Sequence, residues 1–551
     1  MKRSSSSIAI LLALIVAFSL LSGCGGNSNS QSSQQSSVIN SVASTTADQS
    51  TTDPGGKITE QPVTLTAWAS LRPGQSKSAT KASDLPYYKE LEKQTGVTIE
   101  FTHPAMGQEN DQFNLLIASG SYPDLIEWNW TGYTGGPDKA IADNIIIPLN
   151  DLIDKAPNLK NIMTQMPIVD KLMKSASGKY YEAPYMIIDP SVLIYYGPVI
   201  RKDLLDQVGL PVPSTIDEWY TTLKAFKDKL SIAAPLTLAN NVTNKTNNNY
   251  LISSFGTYRD FYQVDGKVKY GPFEPQYKDY LATLAKWYQE ELLDSDFAAQ
   301  DSKTYDAKMI NGKAAMSFAY VGGGIGKYTT AGLAVNPKFE LIGIPYPTIN
   351  KGDTPKMGQQ DFPVTTSPAF AITTACKNKE IAMKWMDYCY DFSQKSKGHM
   401  LANFGIEDVS YTMVDGYPKF TDLVNKNPKG LSFTDALNAY TTTVTYGPAI
   451  CDGREFAQFL KLPQQAEAVK LWKTDNANVL PPASPSSQAD IDDFSKIMDN
   501  ASTYVSEMQI KFIMGQEPIA SFDKFIDQLK KMDIEKAIQI KQAAYNEFQN
   551  R

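Results

Sequence analysis

Histidine is almost missing from this chain: His103 and His399 are the only two in 551 residues. Cysteine is nearly as scarce, and Cys24, Cys376, Cys389 and Cys451 stand at wide spacings that match no zinc or redox motif. There is no His-Glu-x-x-His and no Gly-x-Ser-x-Gly, so metalloproteases and α/β-hydrolases lack their usual parts. Positive charge is in deficit, with 52 Lys and Arg against 59 Asp and Glu and a formal net charge of −7. An acidic chain without a basic stripe is not expected to bind nucleic acid. The segment Gly322 to Lys327 fails as a phosphate loop, because Val321 and Tyr328 stand where a Walker sequence needs Gly and Ser or Thr. It fails as a dinucleotide fingerprint as well, since Lys327 occupies the place of the third Gly. No cofactor or metal is therefore expected, and Cys376, Cys389 and Cys451 are expected to be small buried hydrophobes.

What is present begins at the first residue. Met1-Lys2-Arg3 is followed by an apolar run from Ile8 to Leu20 and then Leu21-Ser22-Gly23-Cys24, the charge, greasy core and small-residue exit of a signal peptide. The run is shorter than the roughly 20 apolar residues of a membrane span, and no later stretch approaches that length. Leu21-Ser22-Gly23-Cys24 resembles the bacterial lipobox, which implies cleavage after residue 23 and a lipid on Cys24. Residues 24–60 are dominated by Ser, Thr, Asn, Gln and Gly, too poor in apolar surface to offset ordering, and are expected to be a flexible tether. An anchored body on the outer face of a cell membrane follows, and the tether length resembles lipoproteins of Gram-positive bacteria.

Beyond the tether, strand and helix patterns alternate. Val63 to Ala67, Thr98 to Thr102 and Asp124 to Trp128 have strand character, separated by helical stretches at 85–94, closed by Gly96, and 112–118, closed by Gly120. Repeated βαβ units predict parallel sheet covered by helices. A second run starts with a strand at Ser191 to Tyr196 and a helix at 201–208 before Gly209. Thr215-Ile216-Asp217-Glu218 is a capping box, and Ile216, Trp219, Leu223, Phe226 and Leu230 at helical spacing predict an amphipathic helix. Asp265-Gly266 predicts a tight hairpin, Ala314 to Tyr320 a buried strand entering the Gly322-Gly323-Gly324 loop, and 522–548 a pair of amphipathic helices.

Seven segments in order carry a family resemblance: Tyr122 to Trp128, Gly178 to Pro184, Ile194 to Tyr196 with Arg201 to Leu205, Pro213 to Trp219, Asn311 to Met316, Phe404 to Glu407 and Lys511 to Gly515. Together the chain resembles the extracellular solute-binding proteins of bacterial ABC importers, in their sugar-binding group. The resemblance implies an α/β, two-lobed periplasmic-binding-protein fold of type II. Two doubly wound α/β lobes are joined by crossing hinge strands, with a ligand cleft between them. It places residues 60–188 plus 343–412 in an N-terminal lobe and 189–342 plus 413–551 in a C-terminal lobe. Lobe closure by hinge bending is the motion expected of such proteins.

Ligands of doubly wound sheets sit beyond the carboxyl ends of the strands, where Trp68 and the run Glu127-Trp128-Asn129-Trp130 fall. Indole faces pack on the C–H faces of sugars while placed polar groups take the hydroxyls. By position after Pro123-Asp124, Trp128 aligns with a sugar-stacking Trp of the family, with a buried core Trp as the competing reading for Trp68, Trp128 and Trp130. Tyr320 and Gly323 fall where the family stacks a sugar from the other lobe, although this chain has Gly-rich backbone there. The resemblance places a sugar-binding acid at Asp189, whose alternative is a plain turn residue before Pro190. Arg72 and Glu407 complete the candidates, while Trp219, Trp287 and Trp385 belong to helical patterns and to the core. The resemblance implies a monomeric receptor that hands an oligosaccharide or other small solute to permease subunits and is not an enzyme. Two alternatives stay open: a surface polysaccharide hydrolase or lyase, needing only two of the many carboxylates, and a receptor for a peptide or other solute.

Overall fold

The computed structural model describes residues 57–238, 250–365, 368–393, 396–442 and 447–551. Cys24, the signal segment and nearly all of the tether lie outside the described residues. Among those described, twelve strands follow in chain order: β1 (Val63–Trp68), β2 (Val97–Thr102), β3 (Leu125–Trp128), β4 (Tyr196–Arg201), β5 (Ala234–Leu236), β6 (Phe261–Val264), β7 (Lys267–Tyr270), β8 (Ala314–Tyr320), β9 (Leu341–Gly343), β10 (Ala369–Ile372), β11 (Tyr411–Val414) and β12 (Tyr417–Phe420).

The first four-stranded sheet has the order β10-β3-β1-β2. β1 runs parallel to β2 and β3, with Leu65 opposite Ile99 and Ala67 opposite Leu125. Alternation accounts for β2, where Val97, Ile99 and Phe101 are buried and Glu100 and Thr102 face solvent. The expectation of a purely parallel sheet needs correction, because β10, more than 240 residues along from β3, returns antiparallel and sets Phe370 opposite Glu127. The second sheet has the order β5-β8-β4-β9, with β4 antiparallel to β8 and β9 and β5 parallel to β8. The strand expected at Ser191 to Tyr196 is shifted: β4 begins only at Tyr196, and residues 191–195 lead into it.

Two large hydrophobic cores form around these sheets. One gathers side chains from Leu65 to Val192 and again from Val364 to Cys451, the other from Ile194 to Tyr346 and again from Ala468 to Tyr545. Ile344 and Tyr346 pack with the second sheet, and Ala439, Ala449, Ile450 and Cys451 pack with the first, because each segment's apolar face is covered there.

The chain passes between the cores three times, and the crossing segments hydrogen-bond side by side. Met186 bridges antiparallel to Val364 and parallel to Ile450. Met186 N donates to Ala449 O at 2.9 Å, Cys451 N to Met186 O at 2.8 Å, and Asp361 N to Leu193 O at 3.1 Å. A second contact between the two bodies lies at the last helix, Ile534–Asn550, where Leu172 packs on Ala544 and Phe548 and Arg551 Nη1 donates to Lys174 O at 3.0 Å.

Candidate functional site at the strand ends

The carboxyl ends of β1, β2 and β3 share one edge of the first sheet, so the residues that follow them converge. Arg72 Nη2 lies 3.0 Å from Glu127 Oε1, joining the segment after β1 to β3. Glu127 is buried, and desolvation raises its carboxyl above the usual range, opposed by the Arg72 guanidinium and the Ser70 backbone. Each of these two candidates is thus the other's partner. His103, just past β2, accepts from Ala82 N through Nε2 at 3.0 Å and sits with Nδ1 2.7 Å from Ala69 O. A ring that accepts at one nitrogen must donate from the other, so His103 is a neutral Nδ1–H tautomer, and burial lowers its pKa accordingly. Arg72, Gln75, Tyr88, His103, Glu127 and Thr442 help line a cavity of about 10 Å³, roughly the space of one water.

On the opposite face of β3 stands an aromatic group. Trp128 is half-buried and stacks on Phe113 with ring centroids 3.8 Å apart and planes 6° apart. Trp68 supports both rings at 5.9 Å and is itself only 5% exposed. Trp130 is fully buried and donates from Nε1 to Ala369 O at 3.2 Å, so it is a core residue pinning β10 and leaves the set of cleft candidates. Trp68 leaves the set as a direct contact for the same reason. Asn129 is exposed, but its Oδ1 accepts from Thr131 Oγ1 and Gly132 N and closes a turn.

On the second body Tyr320, at the end of β8, is half-buried and lies parallel to Tyr195, with centroids 6.0 Å apart and planes 5° apart. The Gly-rich segment that follows is a single π-helical turn, Val321–Gly326, in which Gly323 is half-buried. Tyr195 Oη donates to Asp361 Oδ2 at 2.7 Å, and Gln359 accepts from Tyr195 N and donates to Leu193 O. Asp189 caps its own turn, accepting from Ser191 N at 2.9 Å and Ser191 Oγ at 2.7 Å. Glu407 is exposed and bridged to Tyr411 in a turn after helix Lys397–Phe404, apart from the strand ends.

The sequence profile of the family described as bacterial extracellular solute-binding protein matches residues 75–391, more than half of the chain. The chain belongs to that family. The fructooligosaccharide ABC transporter substrate-binding protein FusA of Streptococcus pneumoniae is 24% identical over 497 residues, 83% of this chain and 86% of that one. Lipoprotein LipO of Bacillus subtilis is 27% identical over 367 residues, 63% of this chain and 68% of its own. Among solved structures, an HMO-binding solute-binding protein of Bifidobacterium longum infantis superposes with a TM-score of 0.68 at 18% identity, covering 89% of this chain and 99% of that one. The alginate-binding protein AlgQ2 gives 0.65 at 24% identity, covering 89% and 99%. These likenesses give the fold, the two-lobed type II form of solute-binding proteins.

Of the candidates, Arg72 pairs with Glu127 on one face of β3 and Trp128 stacks with Phe113 on the other, Tyr320 and Gly323 follow the end of β8, and Asp189 stands at a crossing. Tyr195, Gln359 and Asp361 were not among them, nor were Phe113 and His103. Phe113 carried a signal, being the single residue that helix Glu109–Ser119 buries. Asp361 carried none, because its neighbour Tyr195 lies 166 residues earlier.

Proposed function

We propose that this solute-binding protein captures an oligosaccharide or related sugar between its lobes and delivers it to the membrane permease of an ABC importer. The observation that carries this reading is the pairing of open aromatic surface with hydrogen-bonding groups on both cleft walls. Trp128 stacks on Phe113 at the end of β3, where Arg72 and Glu127 pair on the other face, and Tyr320 lies parallel to Tyr195, whose hydroxyl donates to Asp361. Flat C–H faces with hydroxyls around them are what such walls accept. The naming of relatives for fructooligosaccharides and polygalacturonan/rhamnogalacturonan supports the same ligand class.

The lobes in this reading are residues 57–192 with 363–459 and residues 193–362 with 460–551. Ligand contacts fall to Trp128, Tyr320, Asp189, Gly323 and Arg72, with Tyr195 and Asp361 added. Glu127 and Trp68 act from behind them, and Trp130 and Glu407 have no direct part. The chain acts by binding and not by catalysis, and a diacylglyceryl group on Cys24 holds it at the outer face of the membrane.

A panel of plant and bacterial oligosaccharides tests the sugar claim through melting temperature and tryptophan emission. At least one sugar is expected to raise the first and change the second, since ligand bound only to the folded state adds stability. No response to any member would refute it.

A further inference from the structure

We infer that Gln359 is a positioning residue for sugar binding, one that sets the place of the Tyr195 ring and touches no ligand itself; this rests on the sugar-binding reading above. Gln359 lies on the second crossing and is 2% exposed. A side-chain amide has two donor hydrogens and an oxygen with two acceptor positions, and here all four are used. Oε1 accepts from Tyr195 N at 2.7 Å and from Tyr196 N at 3.2 Å. Nε2 donates to Leu193 O at 3.0 Å and to Asp361 Oδ1 at 3.3 Å. The partners also settle which end is oxygen, since backbone N–H groups face one end and a carbonyl faces the other.

These bonds fall where the first crossing enters the second sheet. β4 begins only at Tyr196, so Tyr195 N lies ahead of the ladder and takes its partner from Gln359 instead. Tyr195 O accepts from Val321 N at 2.8 Å, in the turn that follows β8. Both backbone groups of Tyr195 are thus held, and its ring stands parallel to that of Tyr320 with its hydroxyl donating to Asp361 at 2.7 Å. Asp361 is exposed, and its other oxygen takes the second Nε2 hydrogen, so one amide holds the backbone of the ring and the partner of its hydroxyl together. Gln359 is itself seated: its N donates to Tyr346 Oη at 3.1 Å, and that hydroxyl donates to Tyr196 O at 2.7 Å. A Cβ on Gly358 would lie 2.7 Å from Tyr346 Cε2, so the glycine lets the second crossing approach closely enough to deliver the amide. A buried polar group with every position satisfied rigidifies what surrounds it, and binding groups keep their geometry only when such support locks them.

Calorimetric titration of the full chain with nystose, maltotetraose and tetragalacturonate supplies the probe, the sugar of the three that binds most tightly. Gln359→Met keeps the length of the side chain and removes all of its amide bonds. It should keep a cooperative melt above the titration temperature and bind the probe at least about tenfold more weakly, the size of a lost aromatic contact. In a Tyr195→Ala background the same substitution should change affinity by less than about threefold, because residues that act as one unit are not additive. Gln359→Glu, which keeps an acceptor for the two N–H groups and sets a second acceptor against Leu193 O and Asp361, is measured in the same two backgrounds with the same expectation. Either variant that folds decides. Affinity within about twofold of the natural chain, or an equal loss with and without the Tyr195 ring, overturns the inference and leaves the sugar-binding reading standing. So does loss of the cooperative melt in both variants, which would make Gln359 a residue of the core alone. If none of the three sugars binds the natural chain, the sugar-binding reading itself fails.

Discussion

Glu182 is a buried carboxyl whose one recorded side-chain partner is Tyr181, and burial pushes it from the ordinary 4.5 up to about 8. A folded pKa above the unfolded one means that the contribution to stability is complete below about pH 4.5 and is lost as pH rises through 8. Glu182→Gln stays neutral throughout. Its melting temperature should exceed that of the natural chain at pH 8, with the difference closing at pH 4.5, as thermal scans at the two pH values would report. The tryptophans divide at the same scale. Trp130→Ala removes a fully buried ring and should cost about 3–5 kcal/mol in denaturant unfolding. Trp128→Ala should keep a cooperative melt and weaken sugar binding about tenfold, the size of a lost aromatic contact. Sequence alone placed both rings after Pro123-Asp124 and could not separate them. The fold leaves Trp128 half-buried at the end of β3 and buries Trp130 against Ala369 of β10, and β10 comes from a distant part of the chain.

Local patterns carried most elements to within a residue or two. Thr215 caps helix Ile216–Leu230 by accepting from Glu218 N at 3.1 Å, and Trp219, Leu223 and Phe226 on that helix are fully buried, as the spacing required. Asp265 and Gly266 both take positive φ and close the β6–β7 hairpin. Helices ending at Gly96, Gly120 and Gly209 stop there because glycine accepts the left-handed conformation at low cost. Where an element depends on distant partners, local pattern failed: the apolar run from Ser191 reads like a strand, but its first five residues serve the crossing instead. The glycine turn after β8 permits a sharp comparison. A Cβ on Gly324 would sit 2.5 Å from the Ala319 Cβ, whereas one on Gly322 would meet nothing within 4 Å. Gly324→Ala should therefore destabilise by about 1–3 kcal/mol through overpacking, and Gly322→Ala should stay within about 0.5 kcal/mol, typical of a surface change. Paired denaturant titrations would measure both.

Three crossing segments give the molecule one place to bend, and ligand between the lobes favours the closed arrangement by its extra contacts there. Small-angle scattering should show a smaller radius of gyration at saturating sugar than without it. An unchanged radius would argue against closure. The contact of Leu172 and Lys174 with the last helix lies between the same two bodies, so rotation about the crossings must slide or break it. On the proposed lipid anchor at Cys24, Cys24→Ala should release the chain into the medium with unchanged affinity, checked by fractionation and titration of the released protein.

The sequence by itself determined the class of the molecule. Its acidic charge, its scarcity of His and Cys, its Cys24 segment and its seven ordered motifs depend on composition and short spacing, which one strand of text carries in full. Tertiary structure alone decided the antiparallel β10, the side-by-side hydrogen bonds of the crossing segments, the pairing of Arg72 with Glu127, and the hydrogen bond of Tyr195 to Asp361. Each of these joins residues tens to hundreds of positions apart. Such contacts form only when apolar faces have found their cover, and no local periodicity records which distant segment supplies it.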